Sequence, residues 1–327
     1  MKALVTGGHG FLGSHIVERL LAEGLDVRVM ASPWGKLDNL EHLLDHDRLE
    51  IARGNITERN SLDEVFAGVE LVYHSAARVL DWGKWEWFDQ TNVEGTKNVL
   101  DAAAKAGVQR FVQVSSVAVH EYTGFRDADP RDTPTGGARL VNYARSKQLA
   151  EELVRASSLE TVIVRPGLWP YGPRDPNFIK FVGPLKSGMF PMVKMGEKII
   201  NTAYAENLAQ GMFLAGTVPA AAGNSYVIAD EGAPTWREAL THLALSVGGP
   251  KPWMPMPSWL SVGLSNFVEW MWSTVAPKAE PPLTKYRGAV MNEDVHFSIE
   301  AAKAELGYVP EVSWQEGIER TVAWLGK

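Results

Sequence analysis

A tyrosine and a lysine stand four residues apart near the start of a predicted helix, in the run Tyr143-Ala144-Arg145-Ser146-Lys147. Residues at i and i+4 share one helix face, with their Cβ atoms about 5–6 Å apart. A free phenol, with a pKa of about 10, is a poor base at neutral pH. A neighbouring ammonium and a positively charged cofactor ring would both stabilise the phenolate, so we expect the pKa of Tyr143 to fall toward neutrality. Such a phenol could exchange a proton with an alcohol oxygen during hydride transfer, although the pair alone also fits an incidental contact on a surface helix.

Two serines and an asparagine are candidates for the same site. Ser115 and Ser116 stand at the end of a predicted strand, where a hydroxyl could hold a substrate oxygen beside Tyr143. A strand-end cap is the alternative for these serines. Asn92 stands on the helix predicted after the preceding strand, where it could hold water or backbone near Lys147. The alternative for Asn92 is an ordinary polar position on a helix.

A glycine-rich run opens the chain. An apolar strand over 2–5 leads into Thr6-Gly7-Gly8-His9-Gly10-Phe11-Leu12-Gly13, and apolar residues at helical spacing follow as far as Gly24. In dinucleotide-binding strand–turn–helix units, one glycine makes the turn, one lets backbone approach the pyrophosphate and one lets the helix pack on the strand. The phosphates then meet free N–H groups at the positive end of the helix. This context favours a dinucleotide site over a plain glycine turn.

Composition excludes several classes of function. The 327 residues carry a net charge of −7 with no basic tract, which disfavours nucleic acid as a partner. The absence of Cys rules out disulfides, thiolate chemistry and Cys-based zinc sites, and we expect no metal site. No apolar stretch reaches the roughly 18 residues of a spanning helix. We expect a cytoplasmic protein without a secretory leader.

Short Val- and Ile-rich runs alternate with helical patterns through the first half of the chain. The predicted strands after the first cover 26–31, 49–53, 70–74, 110–115 and 161–165, and two of the predicted helices cover 87–107 and 143–158. This alternation predicts an α/β fold with a doubly wound parallel Rossmann sheet. Ligands of such sheets bind at the carboxyl ends of the strands, where the candidate residues above fall.

The second half loses this rhythm and becomes rich in Pro, Gly and aromatic residues from Pro166 onward. A helix over 203–216 and a strand over 225–229 are expected to return to the sheet, and two or three helices follow Thr235. We therefore predict a dinucleotide-binding domain and a smaller, mixed substrate-binding domain. The first comprises 1–165 and 200–232, and the second comprises 166–199 and 233–327.

Together these motifs resemble the extended branch of the short-chain dehydrogenase/reductase superfamily. The matching segments are TGGHGFLG at 6–13, HSAA at 74–77, TNVEGTKNVL at 91–100, VSS at 114–116, YARSK at 143–147 and RPGLWPYGPRD at 165–175. The resemblance implies that Tyr143 donates or accepts the proton and that Lys147 holds the nicotinamide ribose and tunes Tyr143. It also implies that Ser116 holds the substrate oxygen and that Asn92 matches the family's helix Asn. Ser116 is preferred to Ser115 from its offset in the family's S-S-x-x-V pattern.

Within this branch the chain most resembles the 3β-hydroxysteroid dehydrogenase-type and dihydroflavonol reductase-like proteins, in the segments YAENLA at 204–209 and AELGYVP at 304–310. Two departures narrow the reaction. Sugar-nucleotide dehydratases carry an Asp-Glu pair after the strand-end Ser or Thr, whereas Val117 and Ala118 follow Ser116 here. Sugar-nucleotide epimerases place an Asn shortly after the Arg-Pro pair, and residues 166–171 contain none.

The cofactor is expected to be NADP(H) or NAD(H), with a slight preference for NADP(H). Ala31 and Ser32 stand where NAD-preferring relatives have Asp and NADP-preferring relatives have Arg. Ser32 and Lys36 could accept a 2′-phosphate, and Asn55 replaces the Asp that commonly contacts adenine. The full set of predicted cofactor-binding residues is Gly7, Gly10, Phe11, Leu12, Gly13, Ser32, Lys36, Asn55, Ile56, Ala76, Ala77, Lys147 and Pro166.

Aromatic residues predict an apolar substrate. The loop over 80–88 contains three Trp and should overhang Tyr143, giving a flat apolar pocket wall, although packing between the domains is the alternative. Few basic residues are available there to hold a diphosphate. The predicted substrate residues are Trp82, Trp85, Trp87, Ser116, Trp169 and Tyr171.

The segment 253–275 forms an amphipathic pattern with a broad apolar face and polar residues on one side. It could pack in the core, line the pocket, pair with another subunit or lie on a membrane. Core packing and pocket lining are favoured, because the segment has no belt of Lys and Arg. Contact with a membrane stays open but is not favoured, and a homodimer is plausible by resemblance.

The favoured function is an NAD(P)-dependent oxidoreductase that interconverts a secondary alcohol and a ketone on an apolar substrate, such as a 3β-hydroxysteroid or a β-keto acid. One alternative is a sugar-nucleotide epimerase with tightly bound NAD. The other is a non-catalytic binder that senses dinucleotides, which the presence of both Tyr143 and Lys147 disfavours.

Overall fold

The computed structural model describes residues 1–136, 141–276 and 279–326. In this part of the chain the strands are β1 (Lys2–Thr6), β2 (Asp26–Ala31), β3 (Leu49–Arg53), β4 (Leu71–His74), β5 (Arg110–Val114), β6 (Phe125–Ala128), β7 (Glu160–Pro166), β8 (Trp169–Tyr171), β9 (Pro191–Val193), β10 (Thr202–Tyr204), β11 (Ser225–Ile228), β12 (Met254–Met256) and β13 (Val295–Phe297). The α-helices are α1 (Phe11–Ala22), α2 (Asp63–Phe66), α3 (Trp85–Phe88), α4 (Gly95–Ala106), α5 (Asn142–Ala156), α6 (Phe178–Lys186), α7 (Ala205–Thr217), α8 (Trp236–Ser246), α9 (Ser258–Val275), α10 (Lys285–Asn292), α11 (Glu300–Leu306) and α12 (Trp314–Leu325).

Seven strands form the main sheet in the order β11-β7-β5-β4-β1-β2-β3, and every neighbouring pair is parallel. In β1, an inner strand of this sheet, Ala3, Leu4 and Val5 are all fully buried, as is expected for parallel strands covered by helices on both faces. One apolar cluster joins α1 and α7 to the sheet, and a second joins α2, α4 and α5 to it. The predicted doubly wound parallel sheet is confirmed.

The helix predicted over 87–107 is divided into three parts. α3 is followed by a π-helical stretch at Asp89–Glu94 and then by α4. Asn92 lies in this stretch, where its side chain bonds the backbone N–H and C=O of Arg78. These bonds hold the helix against the loop after β4, and π-helical turns are frequent at functional sites.

The remaining elements lie beyond the sheet and are joined by short parallel pairs, β8 with β10, β9 with β12 and β6 with β13. β8, β10, α6 and α8 share an aromatic cluster that includes Trp169, Tyr171, Phe178, Tyr204 and Trp236, whereas β6, β13 and α11 pack with the cluster of α1 and α7. α7 and β11 return to the main sheet, as expected. The division into 1–165 with 200–232 and 166–199 with 233–327 stays a prediction.

The tail contains more helices than predicted. Five α-helices follow Thr235 in the described residues, where two or three were expected. α10 and α11 have only eight and seven residues, so their periodicity is too short to stand out. α8 begins at a capping box, in which the Thr235 hydroxyl accepts from the Glu238 N–H and the Glu238 carboxylate accepts from the Thr235 N–H.

The amphipathic segment also differs from its favoured interpretation. α9 buries Ser261 and Ser265, whereas Trp259 and Trp270 are 75% and 68% exposed. Its apolar face is therefore neither packed in the core nor part of the cleft described below. Among the helices that the structure describes, none has the length and apolar character that crossing a membrane requires.

Candidate active site

The glycine-rich turn joins β1 to α1 with the geometry that a dinucleotide requires. Gly7 has φ +68°, a left-handed conformation that disfavours side chains. A methyl group on Gly13 would lie 2.2 Å from the Gly7 carbonyl oxygen, so only glycine lets α1 approach the turn. No side chain caps the start of α1 at Gly10. The first N–H groups of the helix are thus available to an anion such as a pyrophosphate.

A cleft of about 820 Å³ crosses the carboxyl ends of the sheet. Most of its lining residues belong to the glycine turn after β1 and to the segments that follow β2, β3, β4, β5 and β7. The predicted residues that line it are Gly7, Gly10, Phe11, Leu12, Gly13, Ser32, Asn55, Ile56, Ala76, Ala77, Ser116, Tyr143, Lys147 and Pro166. The residues present therefore fit a dinucleotide lying across the strand ends, with its phosphates at the start of α1.

Other predicted residues lie outside the lining of the cleft. Lys36 is exposed, and Asn92 is buried behind the wall. Of the six predicted substrate residues, only Ser116 lines the cleft. The cleft lining instead adds residues that the sequence did not single out, among them Trp34 and Asp175.

Tyr143, Lys147 and Ser116 converge at the end of the cleft beyond the glycine turn. Tyr143 and Ser116 both line the cleft, and the Ser116 hydroxyl is close enough to lower the pKa of the Tyr143 phenol. The Ser116 Oγ also accepts from the Ala118 N–H at 3.1 Å. The Lys147 ammonium lies 6.0 Å from the centre of the Tyr143 ring. Its Nζ donates to the Val114 carbonyl oxygen at 2.8 Å, which fixes the Lys147 side chain against the end of β5.

The electrostatics of Tyr143 differ from the expectation. Burial raises the pKa of Tyr143 to about 12, and the hydrogen bond from Ser116 opposes this only in part. The chain's own residues therefore do not lower this pKa toward neutrality, because desolvation of the phenolate outweighs a lysine that is turned toward Val114. The further lowering expected from a positively charged cofactor ring stays a prediction. Burial lowers the pKa of Lys147 to about 8, against the attraction of the Glu151 carboxylate. At neutral pH the phenol is protonated and the lysine is mostly cationic.

Asn92 acts on this group through its neighbours. In addition to the two bonds to Arg78, its Nδ2 donates to the Ser146 Oγ at 2.8 Å. Ser146 stands between Tyr143 and Lys147 on α5, and its hydroxyl donates to the Tyr143 carbonyl oxygen. Asn92 thus ties the first turn of α5 to the loop after β4.

A buried ion pair below the site was missed from the sequence. The Glu151 carboxylate accepts from Arg165 at 2.6 and 2.8 Å, from Ser115 Oγ at 2.6 Å and from Arg155 at 2.9 Å. Glu151 and Arg165 are 1% and 3% exposed. The arginine beside Glu151 lowers the pKa of that carboxyl although burial acts in the opposite direction. Glu151 stands four residues after Lys147, and this spacing could have indicated a carboxylate on the same helix face as the site lysine. Both Ser115 and Ser116 line the cleft, but the Ser115 hydroxyl donates to Glu151, which leaves the Ser116 hydroxyl to bond a substrate oxygen.

Two further tyrosines approach Tyr143 and were also missed. The hydroxyls of Tyr122 and Tyr286 lie 2.9 Å apart in a hydrogen bond. Burial raises the pKa of both phenols, and both are near enough to Tyr143 to interact with it electrostatically. Tyr286 belongs to α10, so the C-terminal part of the chain reaches the site. No short motif surrounds either residue, and only the fold brings them to Tyr143.

The aromatic loop over 80–88 packs beside the site without facing into the cleft. The Trp85 ring lies 4.0 Å from the Arg145 guanidinium, and Trp87 lies 4.9 Å from that of Arg78. Trp82 is half-buried in the same loop. Hydrogen bonds from Asn142 to the Gly83 carbonyl oxygen and from Thr284 to Asp81 join the loop to α5 and α10.

Trp169 and Tyr171 are core residues, contrary to the expectation that they line the substrate pocket. They are 6% and 0% exposed and pack against each other and against Phe178. The Tyr171 hydroxyl donates to the Trp314 carbonyl oxygen at 2.8 Å. The reason is that β8 pairs with β10 inside the aromatic cluster beyond the sheet, which turns both rings away from the cleft.

Arg53 lies beside the end of β2, the region expected to contact the 2′ position of the cofactor. β2 and β3 pair so that Arg53 stands beside Ala31. The Arg53 Nη1 donates to the carbonyl oxygens of Ser32 and Gly35 at 2.8 and 2.6 Å. Its guanidinium is thus held at the end of β2, where relatives carry their specificity residue. The Asn55 side chain bonds Thr57 and Glu58, and its predicted contact with adenine stays a prediction.

Comparisons with known proteins agree with this geometry. The sequence profile of the NAD dependent epimerase/dehydratase family matches residues 3–229. A 2-alkyl-3-oxoalkanoate reductase of Stenotrophomonas maltophilia is 31% identical, over 99% of both chains. A decarboxylating sterol-4-alpha-carboxylate 3-dehydrogenase of Mus musculus is 29% identical, over 98% of this chain and 90% of its own.

A solved dTDP-glucose 4,6-dehydratase of Streptomyces venezuelae with NAD bound has a TM-score of 0.77 and 27% identity, over 100% of this chain and 97% of its own. The matched profile covers more than half of the chain, and the reductase is similar along its full length. This protein therefore belongs to the NAD-dependent epimerase/dehydratase family, as an extended short-chain dehydrogenase/reductase of the oxidoreductase type.

Proposed function

We propose that this protein reduces the ketone of an apolar β-oxo acid to the corresponding alcohol, with NADP(H) as the cofactor. The observation that carries the proposal is the contact of Tyr143 with Ser116 beside Lys147, at one end of the cleft whose centre is the glycine turn. When bound, the dinucleotide supplies the hydride. The chain's own residues must then hold the ketone oxygen and deliver a proton to it.

The proton comes from Tyr143 in this proposal. Its Oη and the Ser116 Oγ form a pair of hydroxyls that together can hold one carbonyl oxygen. Because burial keeps the phenol protonated at neutral pH, Tyr143 can donate to that oxygen as negative charge develops on it. The Lys147 cation stabilises the resulting phenolate, and Val114 and Glu151 hold that cation in position.

The substrate class is proposed from the relatives' names and from the wall of the site. Both the 3-oxoalkanoate and the 4-carboxy sterol carry an oxygen on the carbon next to the one that bears the carboxyl group, on an apolar skeleton. Tyr122 and Tyr286 place two further aromatic rings close to Tyr143. Loss of water from a sugar nucleotide is disfavoured because Glu151, the carboxylate below the site, is committed to Arg165.

Replacement of Tyr143 tests the reaction. Tyr143→Phe should lower kcat for reduction of a long-chain 2-alkyl-3-oxoalkanoate by about 10²-fold or more, since it removes the proton donor. Binding of NADPH, measured by fluorescence titration, should be nearly unchanged. Unchanged turnover in this variant would remove Tyr143 from the mechanism. Tyr226→Phe, at a buried tyrosine of β11 that contacts Glu305 instead of the cleft, is the matched control.

The preference for NADP(H) is proposed from Arg53. Ser32 lines the cleft, and Arg53 bonds the Ser32 carbonyl oxygen, so a guanidinium lies beside the residue that should face the 2′ position. Neither Ala31 nor Ser32 supplies the carboxylate that would bind a ribose diol and repel a phosphate. Arginine is well suited to bind phosphate through several N–H donors.

Replacement of Arg53 separates the two cofactors. Arg53→Ala should raise KM for NADPH by about 10-fold or more, because a charge-assisted hydrogen bond is worth about 1.5–3 kcal/mol. KM for NADH should change little. Lys36→Ala is the control, because this nearby exposed lysine has no hydrogen bond to the Ser32 carbonyl oxygen such as Arg53 makes. Equal effects of Arg53→Ala on both cofactors would contradict the proposal while leaving the reaction itself untouched.

A further inference from the structure

α9 exposes several large apolar side chains along its length, among them Phe267 and Trp270, whose rings are in contact, and Trp253 just before the helix is exposed as well. We call this surface the α9 face. Its most exposed members are Val275 at 76%, Trp259 at 75%, Trp270 at 68%, Trp253 at 67%, Phe267 at 54% and Val262 at 48%. Scattered single apolar residues are normal on protein surfaces, but a contiguous aromatic patch marks an interaction surface.

The orientation of α9 is fixed by packing on its other side. A methyl group on Gly288 of α10 would lie 2.6 Å from the Ser265 Oγ and 3.7 Å from the Ser261 Oγ, so small residues let the two helices approach closely. Glu269 accepts from the Lys285 N–H at the first turn of α10 and also pairs with the Lys285 ammonium. The outward position of the aromatic residues is therefore a consequence of specific contacts.

We propose that the α9 face docks this protein on the surface of a phospholipid bilayer. Trp and Phe are the side chains that bind best at the boundary between headgroups and acyl chains, because their rings are large and the Trp ring also carries a polar N–H. An 18-residue helix of about 27 Å can lie flat in that boundary with one face buried. Its serine face remains against the protein.

The charges around the face favour lipid over a second copy of the chain. Glu269 is the acidic residue of α9, and it is paired and only 17% exposed. Lys186 and Lys251 are exposed and have no ion pair within 1–136, 141–276 and 279–326. Both belong to the end of the face at Trp253, because Lys251 stands two residues before Trp253 and Gly249 packs against the backbone of Lys186. Anionic headgroups would neutralise these lysines, worth about 1 kcal/mol each, whereas a two-fold pairing would place the same positive patch on both partners.

The α9 face is close to the candidate active site through one helix. α9 packs on α10, and α10 carries Tyr286, which interacts with Tyr143. Docking would therefore bring the region around Tyr143 toward the bilayer, where an apolar substrate dissolves. The docking proposal itself stands on the surface of α9 and does not depend on the proposed reaction.

Sedimentation with vesicles tests the docking. The wild type should co-sediment with phosphatidylcholine vesicles that contain phosphatidylglycerol, and less with phosphatidylcholine alone. The triple variant W259S/F267S/W270S should lose at least about tenfold in binding, equivalent to about 1.4 kcal/mol. L44S/V309S removes exposed apolar side chains elsewhere and should bind as the wild type does. Lys186→Gln with Lys251→Gln should weaken binding to the anionic vesicles only.

Folding and oligomeric state are measured on the same triple variant. Its thermal unfolding and NADPH binding should match those of the wild type, which shows that α9 still folds. The proposal is overturned if the wild type sediments with neither vesicle, or if the triple variant binds as well as the wild type. It is equally overturned if light scattering shows a dimer that the triple variant dissociates while vesicle binding is absent, because the α9 face would then be a subunit interface.

Discussion

Two amphipathic helices of this protein both bury polar side chains, but only α5 also fully buries apolar ones. α5 turns charged and polar groups inward: Lys147 and Glu151 are 4% and 1% exposed. α9 turns Ser261 and Ser265 inward and leaves Trp259, Phe267 and Trp270 in solvent. Both helices have an apolar and a polar side, so amphipathicity alone predicts the inner face of neither. Which face of each helix is buried depends on the residues that the helix packs against.

The partners of the two helices differ in what they offer. Below α5, Arg165, Ser115 and the Val114 carbonyl oxygen satisfy each buried charge. Buried charges are tolerated only when they are paired and hydrogen-bonded in this way. Opposite α9, Gly288 lets the two helices approach closely at Ser265 and Ser261. Small residues can fill such an interface, and the large rings are left outside.

The largest expected effect comes from breaking the ion pair under α5. Glu151→Gln should lower the free energy of unfolding by about 3–5 kcal/mol, because it leaves the Arg165 guanidinium buried without its counter-charge. Urea unfolding followed by far-UV circular dichroism measures this. The control is Glu160→Gln, which removes a half-exposed partner of Arg110 and should cost about 0–1 kcal/mol. Similar losses in both variants would show that burial adds nothing to the pair at Glu151.

A smaller effect is expected on the pH profile. Lys147 is cationic below its pKa of about 8 and neutral above it, so kcat for reduction should fall about tenfold between pH 7 and pH 9. Tyr143, with its pKa raised to about 12, should add no limb in this range. In Lys147→Arg, whose guanidinium stays charged, the residual activity should lose the alkaline limb. A flat wild-type profile to pH 9 would contradict the assignment of the Lys147 charge to the reaction.

The smallest effects are expected from a pair of glycines: Gly288, which lies in the α9–α10 contact, and Gly263, which lies on the exposed side of α9. Gly288→Ala should destabilise the protein by about 1–3 kcal/mol through the clash with the Ser265 Oγ, and Ser265→Ala in the same chain should restore most of the loss. Gly263 on the exposed side of α9 has open space around it, so Gly263→Ala should instead stabilise by about 0.5–1 kcal/mol. Thermal unfolding of these variants measures both signs. Destabilisation by Gly263→Ala would show that the outer side of α9 is packed.

Features of the site that depend on residues close together in sequence could be predicted from the sequence alone. The turn at Gly7 and Gly13 is predictable because a left-handed residue and a close helix approach each require glycine. Tyr143 and Lys147 lie on the same face of α5 because they are four residues, about one helical turn, apart. The offset in the S-S-x-x-V pattern favours Ser116 over its neighbour, and the structure supplies the reason, since the preceding serine donates to the buried glutamate of α5. The predictions for the rings at 169 and 171 failed because a hydrophobic ring fits a core and a pocket equally well.

The sequence by itself determined the parallel sheet, the glycine turn and the position of the tyrosine and lysine on one helix face, because each depends on backbone sterics or short spacing. Only the tertiary structure decided the protonation of Tyr143, the approach of Tyr122 and Tyr286, and the outward face of α9. Desolvation and helix orientation depend on groups that are far apart along the chain and meet only in the fold. The most local features were therefore predictable, and the ones that tune the site were not.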